Sequence, residues 1–339
     1  MLKYTDLKST SRQDLMEVLP LAKPFTVLIE PTSLCCFRCV MCFQSLTETS
    51  YFTKNRMHMS LERFARVIDQ LAAWPGPKVK VLKLSLYGEP LLNPDFPAMV
   101  RMAHVAQVSE RMETTTNAAL LTPEIAESLI EAQLDYMRIS IYAADEERHR
   151  RVTNSPITPS QIHENLKMLK DLKAQHGSTR PFVSCKMLDS YDSENDAFMK
   201  MYADVADEMY LDKPHGWIGV EGADFIESYY EEDKPVAVAD IQEHSTARIA
   251  CPMPFTTMTI RSNGDVSPCC VDFIGGTNLG NMDESSLEAI WRSDAWYEFQ
   301  KMQLEGRKNE NDSCARCDIY RSDHYTRDNI DGFPVERLR

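Results

Sequence analysis

Long apolar runs are missing from this 339-residue chain. No window approaches the ~20 apolar residues of a membrane helix, and the opening MLKYTDLKSTSRQDLM has no apolar core of signal-peptide length. A cytoplasmic protein with no membrane partner is the expectation. Basic runs are missing as well: 51 acidic residues outnumber 37 basic ones, for a net charge of -14. Such a surface repels a phosphate backbone unless its cations are gathered in one place, which argues against a nucleic-acid partner. Internal repeats and low-complexity tracts are also absent. Cysteine does not occur before residue 35, yet ten follow. In a reducing compartment clustered thiols point to metal binding or catalysis, not to disulfides.

What is present is a repeated alternation. FTVLIE (25–30), VLKLSLYG (81–88), RMETTTNA (111–118), YMRISIYA (136–143), FVSCKML (182–188) and EMYL (208–211) have strand character. Amphipathic helical stretches such as 61–74 and 159–177 lie between them. Six such units predict a parallel sheet with helical crossovers. Lys83, Ser85, Tyr87 and Glu89, then Glu113, Thr115 and Asn117, then Arg138, Ser140 and Tyr142 each fall on one face of their strand. Helices on both sides of a flat sheet would bury those polar groups at a cost, whereas a curled sheet gives them a polar lumen. The expected class is therefore α/β, a partial (β/α)6 barrel over residues 1–211 with an N-terminal helix. A bridging segment (212–250) and a smaller domain (251–339) follow. The latter has a hairpin turn at Asn263-Gly264 and a helix opened by a capping box at Ser285 and Glu288 that runs to about Leu304.

PTSLCCFRCVMCFQ (31–44) places Cys35, Cys39 and Cys42 in a C-x3-C-x2-C loop directly after the first strand, with Cys36 as a spare. Three thiolates fill three corners of a tetrahedral or cubane site, and soft donors select zinc, copper(I) or iron-sulfur clusters. Cys251, Cys269, Cys314 and Cys317 form a second, four-thiol group, with Cys270 as its spare; a zinc ribbon is its structural alternative. Cys185 shares a strand face with Val183 and Met187 and is expected to be a packed core thiol.

The first loop resembles the hallmark of the radical S-adenosylmethionine (SAM) superfamily. Tyr87-Gly88-Glu89-Pro90 is similar to that family's GGEP motif, with Tyr87 in place of the first glycine. The resemblance implies a [4Fe-4S] cluster on Cys35, Cys39 and Cys42 whose fourth iron binds SAM. It also implies a SAM-binding role for Gly88 and Glu89 and, from their strand positions, for Asn117 and Ser140. Arg151 is a further candidate for the SAM carboxylate, with a solvated helix face as its alternative. The tail resembles the twitch form of the SPASM domain in aminocyclitol dehydrogenases, which implies one auxiliary [4Fe-4S] cluster on Cys251, Cys269, Cys314 and Cys317.

A fully ligated second cluster passes electrons and holds no substrate. The resemblance thus implies a two-step oxidation in which a 5'-deoxyadenosyl radical takes hydrogen from a carbinol carbon, a base takes the hydroxyl proton and the auxiliary cluster takes an electron. A flavodoxin or ferredoxin is the expected reductant, and a sugar, aminosugar or cyclitol derivative the expected small-molecule substrate. Dehydrogenation is the expected reaction, with epimerisation or dehydration as its relatives. Lys186, Tyr87, Glu113 and His215 are the candidates for proton transfer or hydroxyl contacts, with Trp217 as a lid; pairing with Glu113 is the structural alternative for Lys186. Maturation of a peptide side chain and a zinc-scaffolded binding protein are the competing functions.

Overall fold

Thr26–Ile29 form β1, and five further strands follow in parallel: β2 (Val79–Lys83), β3 (Ser109–Thr116), β4 (Tyr136–Ile141), β5 (Phe182–Leu188) and β6 (Glu208–Asp212). The computed structural model describes residues 13–45, 55–212, 229–230, 248–273, 275–317 and 328–339. Three more strands, β7 (Thr257–Ile260), β8 (Asp265–Ser267) and β9 (Gly280–Asn281), complete one sheet of order β6-β5-β4-β3-β2-β1-β7-β8-β9.

Local chemistry explains the crossovers. The helix Leu61–Ala73 starts at Ser60, whose side chain accepts the Arg63 N–H, and it buries Phe64, Val67, Ile68 and Leu71 on one stripe. The helix Pro159–Gln175 opens on a reciprocal capping box between Thr158 and Gln161. Along β4 exposure alternates, with Met137, Ile139 and Ile141 fully packed under the helices and Tyr136, Arg138 and Ser140 on the other face. That face curls into a lumen: Lys83 on β2 is within electrostatic reach of Arg138 two strands away and Lys186 three strands away. The mixed α/β architecture is that of a partial barrel, as the polar strand faces predicted.

Three details differ from the sequence reading. β2 ends at Lys83, so Ser85, Tyr87 and Glu89 lie in the turn beyond it and not on a strand face. Near residue 286 the helix start is Ser286, which accepts the Ala289 N–H, and the expected single helix is two, Leu287–Trp291 and Asp294–Leu304. Ser293 causes the break because its side chain caps the second helix at the Trp296 N–H. The third difference concerns the C-terminal hairpin, which continues the barrel sheet: β7 pairs in parallel with β1, from Thr26 opposite Thr257 to Ile29 opposite Ile260. The Asn263-Gly264 turn lies between β7 and β8, with Gly264 at a φ of 93°. Among the described residues no helix is long and apolar enough to cross a membrane.

Candidate active site at the cysteine loop

Directly after β1 the chain turns through Cys35–Cys42 at the C-terminal end of the parallel strands. Three kinds of contact fix that turn. The loop closes on itself, with the Cys42 N–H donating to Cys39 O (2.9 Å) and the Ser45 hydroxyl to the same oxygen (2.7 Å). The C-terminus of the helix Glu146–Thr153 then grips it: the Arg38 N–H donates to Thr153 O (2.9 Å) and the Val40 N–H to Val152 O (2.8 Å). These are carbonyls that the helix itself cannot satisfy. Finally, Asn154 ends that helix in a left-handed conformation and donates Nδ2 to Arg38 O (3.1 Å).

Gly88 accounts for the approach of the next turn. A Cβ placed there would stand 2.1 Å from Thr32 O and 2.5 Å from Leu34 O, so only glycine fits beside the cysteine loop. The neighbouring Glu89 N–H donates to Leu34 O (2.8 Å). Glu89 is almost wholly buried, at 2% exposure. Its Oε1 accepts from the Leu91 N–H (3.1 Å) and the Thr116 hydroxyl, and its Oε2 from the Asn117 N–H (2.8 Å). Burial nevertheless pushes its carboxyl up to about 7. It has no ion-pair partner among the described residues, so an ammonium group reaching Oε2 would complete its charge.

The thiols suit an iron-sulfur cluster. Cys39 is buried, and burial raises it strongly and raises Cys42 to about 11. Iron ligation would therefore displace protons from these side chains. The Phe37 N–H points at Cys35 Sγ (3.4 Å), the kind of donor that tunes a ligating sulfur. Cys36 hydrogen-bonds its neighbour Cys35 and lies 3.4 Å from Asn117 Nδ2.

A cavity in the C-terminal region is lined by all four predicted cysteines of the second group, Cys251, Cys269, Cys314 and Cys317, together with Gln303 and Lys308. Gln303 Nε2 lies 3.5 Å from Cys314 Sγ, the Val271 N–H 3.4 Å from Cys269 Sγ, and Lys308 Nζ donates to Cys317 O (2.8 Å). Asn311 caps the short helix Asp312–Ala315 by accepting the Cys314 N–H (3.0 Å). Burial again raises Cys251, and raises Cys314 to about 11. Among the described residues no three Cys, His, Asp or Glu side chains converge tightly enough for a single metal ion. What the four thiols share is a cavity wall, and the donor set fits a four-thiolate cluster.

Asp272, which sequence reasoning did not single out, organises this cage. Its Oδ1 accepts from the Gly276 N–H (2.9 Å) and the Ser313 hydroxyl, and its Oδ2 from the Thr277 N–H (3.0 Å) and Arg261 (3.2 Å). Both partners of the Arg261–Asp272 pair are buried. An Asp followed within a few residues by Gly-Gly-Thr was the available signal, since such runs fold a loop back onto a carboxylate.

The other predicted residues divide. Ser140 on β4 stands opposite Lys186 on β5 in the lumen. Lys186 Nζ pairs with Asp212 Oδ2 at 2.6 Å, and not with Glu113, whose partner is Arg111. Tyr87 turns away from the lumen into an aromatic cluster with Phe43 and Phe273, and burial raises its hydroxyl well above the usual range, against a role as a base. Arg151 is exposed on the last turn of its helix, because that helix presents His149 and Val152 to the core instead. Cys185 is fully buried in the core, and burial raises it. His215 and Trp217 lie outside the described residues.

Comparison with known proteins agrees with this geometry. Residues 29–183 match the radical SAM superfamily and residues 251–318 an iron-sulfur cluster-binding domain of the SPASM type. An S-adenosyl-L-methionine-dependent 2-deoxy-scyllo-inosamine dehydrogenase of Niallia circulans is 32% identical over 78 residues, 23% of this chain and 31% of that protein, so the match spans about a third of the relative's length. A tungsten-containing aldehyde ferredoxin oxidoreductase cofactor-modifying protein of Pyrococcus furiosus is 23% identical over 80% of this chain and 82% of its own. Among solved structures, BtrN in complex with AdoMet and 2-DOIA shares the fold with a TM-score of 0.53 and 17% identity, covering 87% of this chain and 93% of that one. Streptococcus suis SuiB bound to S-adenosylmethionine has a TM-score of 0.63 and 16% identity, over 90% and 74%.

Proposed function

Because this chain belongs to the radical SAM superfamily of enzymes and carries an SPASM-type iron-sulfur domain after its barrel, we propose that it oxidises a secondary alcohol of a sugar, aminosugar or cyclitol. Epimerisation and dehydration are the related outcomes of the same hydrogen abstraction. When bound, the cofactors supply a carbon radical that takes a hydrogen atom from substrate, and an acceptor for the second electron.

The chain's own residues hold and aim. Cys35, Cys39 and Cys42 anchor the first cluster, and the helix end at Val152–Thr153 keeps their loop in one conformation. Glu89 receives the SAM ammonium, and Gly88 leaves room for the turn that carries it. In the lumen, the Lys186–Asp212 pair offers a donor and an acceptor side by side to a substrate hydroxyl, with Asp212 as the first proton acceptor. Asp272 holds the Gly276–Thr277 turn and Ser313 in place around the second cysteine group. The observation that carries the proposal is the polar lumen, where Glu113, Ser140 and Lys186 lie on the successive strands β3, β4 and β5. The dehydrogenase relative supports the choice of a cyclitol-like substrate.

An anaerobic assay with cyclitols, aminosugars and peptides, each deuterated at the reacting carbon, tests this. Deuterium transfer into 5'-deoxyadenosine from a ring carbinol is the expected result. Transfer only from peptides overturns the substrate class.

A further inference from the structure

Among the described residues, two lumen cations, Lys83 and Arg138, have no hydrogen-bonded anion, although Glu113 acts on both and Asp212 on Arg138 through space. The lumen carboxylates are each engaged: Glu113 by Arg111, Asp212 Oδ2 by Lys186, and Glu208 Oε2 by the hydroxyls of Ser184 (2.7 Å) and Tyr136 (3.1 Å). Lys83 and Arg138 differ. Neither makes a hydrogen bond or ion pair with the described residues, and Arg138 Nε is buried with no acceptor. Glu113 and the Cys270 thiol act on Lys83 through space only, and burial together with the Arg138 charge lowers its ammonium to about 8. Half-buried, like-charged donors without acceptors are unfavourable unless a ligand supplies the acceptor.

Their position separates them from the SAM subsite. Glu89 is held by Thr116 and Asn117 at the C-terminal end of β3, whereas Lys83 stands opposite Glu113, about 10 Å further back along that strand. Arg138 projects from β4 on the same lumen face, and its guanidinium fork suits a two-oxygen acceptor.

We propose that Lys83 and Arg138 form an oxyanion subsite, so that the sugar or cyclitol acted on carries a phosphate or carboxylate group. The inference rests on the radical SAM reading above and names the charge of its substrate. It also differs from what the acidic surface suggests, since the anion is met inside the barrel and not on its exterior.

The test uses anaerobically reconstituted holoenzyme loaded with SAM, titrated calorimetrically with glucose, glucose 6-phosphate and gluconate as probes. At least one anion is expected to bind tenfold or more tightly than glucose; which one does so tells phosphate from carboxylate. That advantage should vanish in Lys83→Met and in Arg138→Met and persist in Lys83→Arg. Equal binding of all three probes by wild type that cleaves SAM normally overturns the subsite while leaving the enzyme class intact. A matching fall in SAM affinity in the Met variants also overturns it, because the cations would then serve the SAM carboxylate. Wild type unable to cleave SAM defeats the parent reading itself. Should either Met variant fail to assemble its clusters, the wild-type titration and the other variant decide.

Discussion

Phe43 and Phe273 face each other with ring centroids 5.0 Å apart and planes tilted by 32°. Phe43 follows Cys42, and Phe273 closes the segment that begins at Cys269. Tyr87 completes the contact at 5.1 Å from Phe43 and 5.4 Å from Phe273. This aromatic joint holds one cysteine group against the other. Phe273→Ala should therefore cost about 3–5 kcal/mol of stability. It should also lower the yield of oxidised product per 5'-deoxyadenosine formed, since the gap between the two cofactor sites is no longer held. Thermal melts and product stoichiometry check both; a lower melting point with unchanged stoichiometry would reduce the joint to simple packing.

If Glu89 takes the SAM ammonium as proposed, SAM binding depends on pH. Burial raises its carboxyl to about 7 from the usual 4.5, so below neutrality it keeps a proton that an ammonium ligand must displace. SAM affinity should rise about tenfold per pH unit below pH 7 and level off above it. The SAM-free protein should behave in the opposite sense. Its folded state binds the proton more tightly than the unfolded one, so stability is fullest below about pH 4.5 and declines as pH climbs through about 7. Glu89→Gln should flatten both profiles and weaken SAM binding about 10- to 100-fold, the 1.5–3 kcal/mol of a charged hydrogen bond. Calorimetric SAM titrations between pH 6 and 8 give the answer.

Asp272 predicts a different loss. Asp272→Ala removes the buried carboxylate that pairs with Arg261, at a cost of about 3–5 kcal/mol. About four irons per chain should be lost while SAM cleavage survives. Replacing both partners together, Arg261→Met with Asp272→Leu, should recover part of the stability but not the iron, because Gly276, Thr277 and Ser313 would still lack their acceptor. Melting curves and iron analysis on the single and double variants separate these outcomes.

Gly88→Ala carries a steric prediction. Its methyl group meets main-chain oxygen at 2.1 Å, with no flexible side chain to yield. The Cys35–Cys42 loop must move, so the variant should retain its second cluster and lose SAM binding. Spectroscopic titration with SAM decides; wild-type affinity would show that the turn relaxes freely.

Much of this was legible in the chain. Apolar alternation in YMRISI and its neighbours gave the parallel strands, and their polar partners on the other face gave the curl, because burying charge in a flat helix-covered sheet is costly. Thiol spacing gave both cysteine groups. What stayed hidden depended on long-range contact. No local pattern says that Lys186 meets Asp212 on the next strand and not Glu113 across the lumen. Nor does one say that Tyr87 swings into a cluster with Phe43 and Phe273, or that a helix beginning near residue 286 breaks at Ser293. The clamp on Arg38 and Val40 by carbonyls of Thr153 and Val152 was equally invisible, since it joins segments more than a hundred residues apart through main-chain atoms alone.

One measurement bears most directly on the central claim: iron content and 5'-deoxyadenosine formation under a strong reductant, for wild type, Cys39→Ala and Cys314→Ala. Wild type should hold about eight irons from two four-iron clusters and cleave SAM. Cys39→Ala should lose about half the iron and all cleavage, and Cys314→Ala about half the iron with cleavage retained. Wild-type protein that holds zinc in place of iron, or that leaves SAM intact with both clusters assembled, would contradict the account.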